Sequence, residues 1–163
     1  LFARSLENPL DPTPAWPMIK NNAVNSQNRQ WGDSTKFFHW VVTAGVMSVD
    51  FSFFAAPGMT SVKSQDTTLF KAQNNAWSVA VGVDDSMKDG APVLFTANLR
   101  QKGGSTKLAK LNQNVHLDKS SKPFGDKGGV VVLNGGSAFT VKKDTLRTNT
   151  FNSIGATNTC VYP

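Results

Sequence analysis

The stretch FGDKGGVVVLNGGSAFTV, Phe124 to Val141, decides how this chain is read. Glycines followed by a Lys-Ser or Lys-Thr pair that opens a helix would cradle a phosphate on converging backbone N–H groups. Here Gly128-Gly129 lead instead into Val130-Val131-Val132-Leu133, β-branched residues that favour a pleated strand. Asn134-Gly135 follows, the dipeptide that most readily supplies two consecutive positive φ angles. The stretch therefore predicts a hairpin with strands Val130 to Leu133 and Ala138 to Val141, turned at Asn134-Gly135.

Working outward, Trp77 to Val83 is valine-rich and partly alternating, which predicts a strand. Asp84 to Pro92 is its turn and Val93-Leu94-Phe95-Thr96 the antiparallel return. Gln101 to Ser121 is polar and reads as a long loop with a short helix near Thr106 to Leu111, and Lys143 to Leu146 reads as a last helical turn. Upstream, Asp33 or Ser34 can cap a helix whose apolar positions Phe37, Phe38, Val41 and Val42 keep helical spacing, with Gly45 as its C′ residue. Phe51, Phe53 and Phe54 follow as core, closed by the turn Ala55-Ala56-Pro57-Gly58. Leu1 to Asn8 reads as one or two helical turns stopped by Pro9, Pro12, Pro14 and Pro17. Asn8 to Gly32 is expected to wrap the body, held by Trp16, Met18, Ile19 and Trp31. The fold class expected is α+β, short helices on one side of a roughly four-stranded antiparallel sheet.

A chain of 163 residues with 39% hydrophobic content suits one domain with its own core, and 11 Phe with 4 Trp exclude wholesale disorder. Only 17% of residues are charged, so amides and hydroxyls wet the surface, a composition suited to life outside the cytoplasm. The net charge of +6 is carried by dispersed residues, among them Lys102, Lys107, Lys110, Lys119, Lys122, Lys127, Lys142, Lys143 and Arg147. They are not interleaved with aromatics, so no nucleic-acid partner is expected. Cys160 stands alone and is read as an incidental tail thiol without an internal disulfide. No secretory leader or bilayer-spanning apolar run is visible, and a start at Leu1 suggests that an upstream segment has been removed.

The sites weigh against chemistry. Asp84-Asp85-Ser86-Met87-Lys88-Asp89-Gly90 is the densest acidic cluster, but taking Asp85 as the first position of a calcium loop puts Met87 third and Thr96 twelfth, where a bidentate Glu belongs. It reads better as an Asp-Gly turn. His39 and His116 lack a second metal ligand at a useful spacing, and His39 is placed on the outer helix face. With no nucleophile elbow, paired carboxylates or cofactor fingerprint, the chain is not read as an enzyme, and no catalytic, cofactor-binding or metal residue is assigned.

Several segments together carry a resemblance: Gly32-Asp33-Ser34-Thr35-Lys36-Phe37-Phe38, Phe53-Phe54-Ala55-Ala56-Pro57-Gly58, Asn75-Ala76-Trp77, Asp89 to Leu99 and Phe124 to Gly129. From about Asn8 to Phe151 the chain resembles bacterial type IV pilin-like proteins, related to type II secretion pseudopilins. The resemblance implies a pilin-like fold in which a long N-terminal helix lies on the antiparallel sheet. The apolar half of that helix would anchor the precursor in the inner membrane and later pack in a fibre. Residues 1–31 would then be the remnant of that helix and a Pro/Asn-rich wrapping segment, and residues 32–163 the globular sheet domain. The implied function is a non-catalytic fibre or pseudopilus subunit at the bacterial cell surface, with other pilin or pseudopilin subunits as partners through the helix. Many pilins close their C-terminal region with a disulfide, which Cys160 as the chain's single cysteine cannot form internally, and the calcium loop of major pseudopilins is not recognisable; both departures speak against a major, load-bearing subunit. The rival expectation is a secreted or surface-attached binding module, an adhesin contacting host protein or glycan. It would use the loops Gln101 to Ser121 and Asn21 to Gly32, through dispersed positive charge or through Trp16, Trp31 and Trp40.

Overall fold

Helix α1 (Ser34–Thr43) starts where the Asp33 side chain accepts a hydrogen bond from the Lys36 N–H at 2.8 Å, and it ends at Ala44 with Gly45 at φ +70°. That is the cap, the span and the C′ glycine expected from the residues. The computed structural model describes residues 33–80, 88–101, 108–110, 115–143, 146 and 159–163. Phe37, Phe38, Val41 and Val42 form the buried stripe of α1. A 3-10 turn, Phe51–Phe54, follows, with Asp50 capping it through the Ser52 N–H at 2.9 Å. Phe38 stacks on Phe54 at 4.3 Å between ring centroids, and Phe51 lies nearly parallel to Phe70 at 4.5 Å and 5°. Offset aromatic pairs of this kind add about 0.5–1.5 kcal/mol each beyond the area they bury.

The strands are β1 (Trp77–Ala80), β2 (Pro92–Thr96), β3 (Leu99–Gln101), β4 (Leu108–Lys110), β5 (Val115–Leu117), β6 (Gly129–Leu133), β7 (Ala138–Val141) and β8 (Thr159–Val161). Six of them form one sheet in the order β4-β8-β1-β2-β6-β7, antiparallel at every step, and β3 pairs with β5 beside it. Phe95, Val131 and Phe139 stand opposite one another across β2, β6 and β7. Because side chains alternate, Val79, Leu94 and Val132 take the other face. The fold is thus mixed α+β on an antiparallel sheet, wider than the roughly four strands expected.

The difference lies in the short strands. Gln101 to Ser121 is not a loop with a helix near Thr106 to Leu111, since it contains the end of β3 together with β4 and β5. Strands of three residues are too short to display a period of two, and their stability comes from distant partners: Cys160 for Ala109, Arg100 for His116. The same pairing overturns the reading of Cys160 as a tail thiol, for it is fully buried in β8 between β4 and β1.

The hairpin between β6 and β7 is present, but its turn is not the two-residue one. The Leu133 N–H donates to Ser137 O at 2.8 Å and the Gly136 N–H to Leu133 O at 2.9 Å, leaving a three-residue connection whose last member, Gly136, carries the positive φ of +86°. This is the other common hairpin solution, a turn followed by a left-handed glycine. Of the strand read as Trp77 to Val83, Trp77–Ala80 is observed, and residues 81–87 lie outside the described residues, as do 1–32. The Leu146 N–H donates to Lys142 O at 2.8 Å, in line with a single helical turn there, although residues 144 and 145 are outside the description.

A polar layer closes one end of the sheet. Asn75 holds the start of α1 to β1 by donating to Ser34 Oγ at 3.0 Å and accepting from the Trp77 N–H at 2.9 Å. Asn98, fully buried, donates to Gly125 O and Gly128 O at 2.6 and 2.7 Å. Asp118 accepts from the hydroxyls of Ser120 and Ser121 at 2.8 and 2.6 Å. Those bonds, the one from Ser121 foremost, hold its carboxyl down to about 2.

Candidate interaction surface

In a 3-10 turn, residues three apart share a side. Phe51 and Phe54 accordingly point inward together, and Phe53 between them is thrown out, 59% exposed. It packs edge-on against Phe54 at 5.4 Å and 86°. Beside it runs an open groove of about 340 Å³, lined by Phe38, Phe53, Phe54, Trp77, Leu94 and Val132, with Gly136 of the hairpin also in the wall. Among the described residues no charged side chain lines it. An uncharged concave apolar surface favours an apolar side chain of a partner over a polar ligand.

Among the described residues β7, beside the groove, lies at the edge of the sheet. Because Leu133 and Ser137 exchange a backbone hydrogen bond, Phe139 and Val141 turn their N–H and C=O groups toward β6, and Ala138 and Thr140 turn theirs outward. Among the described residues no strand pairs with that edge. The side chains of Ala138, Phe139 and Thr140 are exposed, Phe139 by 38%, and Ala138 stands opposite Val132 of the groove. Lys142 and Lys143 lie just past its end, with Asp144 next in the chain. Lysines at such a place discourage indiscriminate strand addition.

The residues singled out from the sequence fall elsewhere. Trp40 is half-buried beside Phe37, and Trp16, Trp31 and the loop Asn21 to Gly32 lie outside the described residues. His39 does not face outward: its Nε2 is 3.0 Å from Phe70 O, and its ring meets Phe51 and Phe70 edge-on at 5.5 and 5.7 Å. It wedges α1 onto the phenylalanine cluster, which the i, i+4 spacing could not reveal because the contact is to a residue 31 positions away. His116 is exposed on β5. Of the acidic cluster, Asp84 and Asp85 are outside the description and Asp89 is exposed. Among the described residues no group of three or more His, Cys, Asp or Glu could hold a metal ion, and no helix is long and apolar enough to cross a membrane. The groove itself went unread in the sequence, although the spacing of Phe51, Phe53 and Phe54 carried the signal once a 3-10 turn is assumed.

Compared with protein-family models, with curated proteins and with solved structures, the chain matches none of them.

Proposed function

We propose that the chain is the displayed globular part of a pilin-like fibre or pseudopilus subunit, acting by assembly and surface presentation rather than by catalysis. The observation that carries this reading is the uncharged apolar groove with Phe53 at its lip, set beside the open edge of β7. Exposed aromatics around a concavity, rimmed by polar surface, mark sites of protein contact. Among the described residues a capped helix precedes an antiparallel sheet, as an α+β subunit of this kind would have, and residues 1–31, read as the helix remnant, lie outside them. On this reading the precursor sits in the inner membrane and the mature subunit at the cell surface. Its partners are further pilin or pseudopilin subunits.

The test is to express the complete precursor together with a prepilin peptidase and to shear the cells. The expected result is cleavage after a short basic leader, retention of about twenty apolar residues ahead of this domain, and recovery in the sheared fibre fraction. Phe53→Ser should lower that recovery. Cleavage at an ordinary Ala-x-Ala site with release of a soluble monomer would replace this reading by the adhesin-like binding module.

A further inference from the structure

Among the described residues β7 ends the sheet, and the pattern along its outer side matches its own reverse. Within β7, Ala138 and Thr140 turn their N–H and C=O groups away from β6, with Phe139 midway between them. An antiparallel strand that pairs with this edge must set its own outward-facing residues against these two. A second β7 meets that requirement when it is turned about a two-fold axis beside Phe139. Ala138 of one copy then exchanges backbone hydrogen bonds with Thr140 of the other. Phe139 faces Phe139 at about 4.5 Å between Cα atoms, as a non-hydrogen-bonded pair does.

Side chains and charges fit the same register. Phe139 is 38% exposed, and two such rings in a cross-strand pair shield each other from water. Counting outward along the paired strands, Lys142 and Lys143 come alongside Gly136 and Gly135 of the other copy. Asp89, itself exposed, is fastened to Gly135 through the Gly135 N–H, so Lys143 of each copy is brought beside Asp89 of the other. Lys88 next to Asp89 and Asp144 next to Lys143 keep both signs at each end of the contact. Gly136, opposite Lys142, belongs to the wall of the apolar groove, a surface on which a lysine stem can lie. Lysines at an edge deter strands in general, and a strand that brings its own carboxylate to them is the exception. We propose that two copies of the chain pair through their β7 edges about a two-fold axis, continuing the sheet from one copy into the other. A two-fold contact is closed and joins two copies only, so the proposal stands independently of the fibre reading.

In sedimentation equilibrium the complete chain is expected to pass reversibly from monomer to dimer at about 0.1 mM, a weak association in keeping with so small a contact. Phe139→Asp sets two carboxylates face to face and should weaken the dimer by about tenfold or more. Lys143→Glu and Asp89→Lys should each weaken it about fivefold, and an equimolar mixture of these two variants should recover the association of the parent. In the mixed dimer both contacts again join opposite charges. Residues 89 and 143 are exposed, so this exchange keeps the test valid if the Phe139 variants fail to fold. Phe139→Cys should cross-link on oxidation with diamide, and Ala138→Cys and Thr140→Cys should not, because only residue 139 faces itself within reach of a disulfide. The parent, whose Cys160 is buried, is the control. A chain that stays monomeric up to about 1 mM would overturn the proposal. Slow hydrogen exchange at the Ala138 and Thr140 amides of that monomer would give the edge to another segment of the same chain. A dimer that survives Phe139→Asp, or charge variants that do not rescue each other, would place the contact elsewhere and overturn it equally.

Discussion

Gly135 and Asp89 meet so closely that a Cβ on Gly135 would stand 2.8 Å from the Asp89 Cβ and 3.2 Å from its Cγ. The Gly135 N–H also donates to Asp89 O at 2.9 Å, so the hairpin tip is fastened to the turn before β2. Gly135→Val is expected to cost about 1–3 kcal/mol through this overlap, and Asp89→Gly should recover part of the loss. Gly136→Val should cost roughly 1–3 kcal/mol for a different reason, its positive φ, and Asp89→Gly should leave that loss unchanged. Urea unfolding of the four variants distinguishes the two causes. Equal rescue of both glycine variants would disprove the assignment of the turn.

Asn98 holds the chain at Gly125 and Gly128 by giving each carbonyl one amide hydrogen. Asn98→Ala leaves both acceptors without that donor and should destabilise by about 2–3 kcal/mol. Asn98→Asp is nearly isosteric but turns a carboxylate toward two carbonyl oxygens. Its loss in chemical denaturation should be larger at pH 7 than near pH 3. A pH-independent loss would mean that the side chain turns away from these carbonyls.

The carboxyl of Asp118 is held near 2, below its usual 3.8, by the hydroxyls of Ser121 and Ser120. A carboxyl depressed in the folded state adds stability that is complete above its unfolded value, about 4, and that is lost as pH falls through about 2. Melting temperature should therefore drop between these values, and the drop should shrink in Asp118→Asn. Direct titration of the Asp118 carboxyl by NMR provides the check, and a midpoint near 4 would contradict the hydrogen-bond pattern.

Phe53 and Phe54 are neighbours with opposite duties. Phe54 is 2% exposed and stacked on Phe38, so Phe54→Ala should cost about 3–5 kcal/mol. Phe53→Ser removes an exposed ring and should change stability by no more than about 0.5 kcal/mol. If Phe53→Ser proved as damaging as Phe54→Ala in thermal unfolding, the ring would belong to the core and not to a contact surface.

The thiol of Cys160 should resist a water-soluble thiol reagent in the native state and react fully in denaturant, since its residue is completely buried in β8. Rapid native labelling would show that β8 is not held between β4 and β1.

Local chemistry was enough to read α1, because a capping Asp33, the stripe Phe37, Phe38, Val41 and Val42, and Gly45 all lie within one short window. It was also enough for β1, β2 and the pair β6 and β7, whose runs of four or five residues are rich in β-branched and aromatic side chains. Nothing local announces β4, β5 or β8, whose three residues each become strands only by pairing with partners far along the chain. The turn at Asn134 to Gly136 could be located from its residues, but where the positive φ falls depends on the fastening of Gly135 to Asp89. In the same way, the sequence sets out Phe53, Trp77, Leu94 and Val132 as apolar residues, while only the packing of a 3-10 turn against a sheet gathers them into a groove. Spacing along a chain reports which backbone form is cheap, and burial and register, which depend on residues tens of positions apart, decide what each side chain meets.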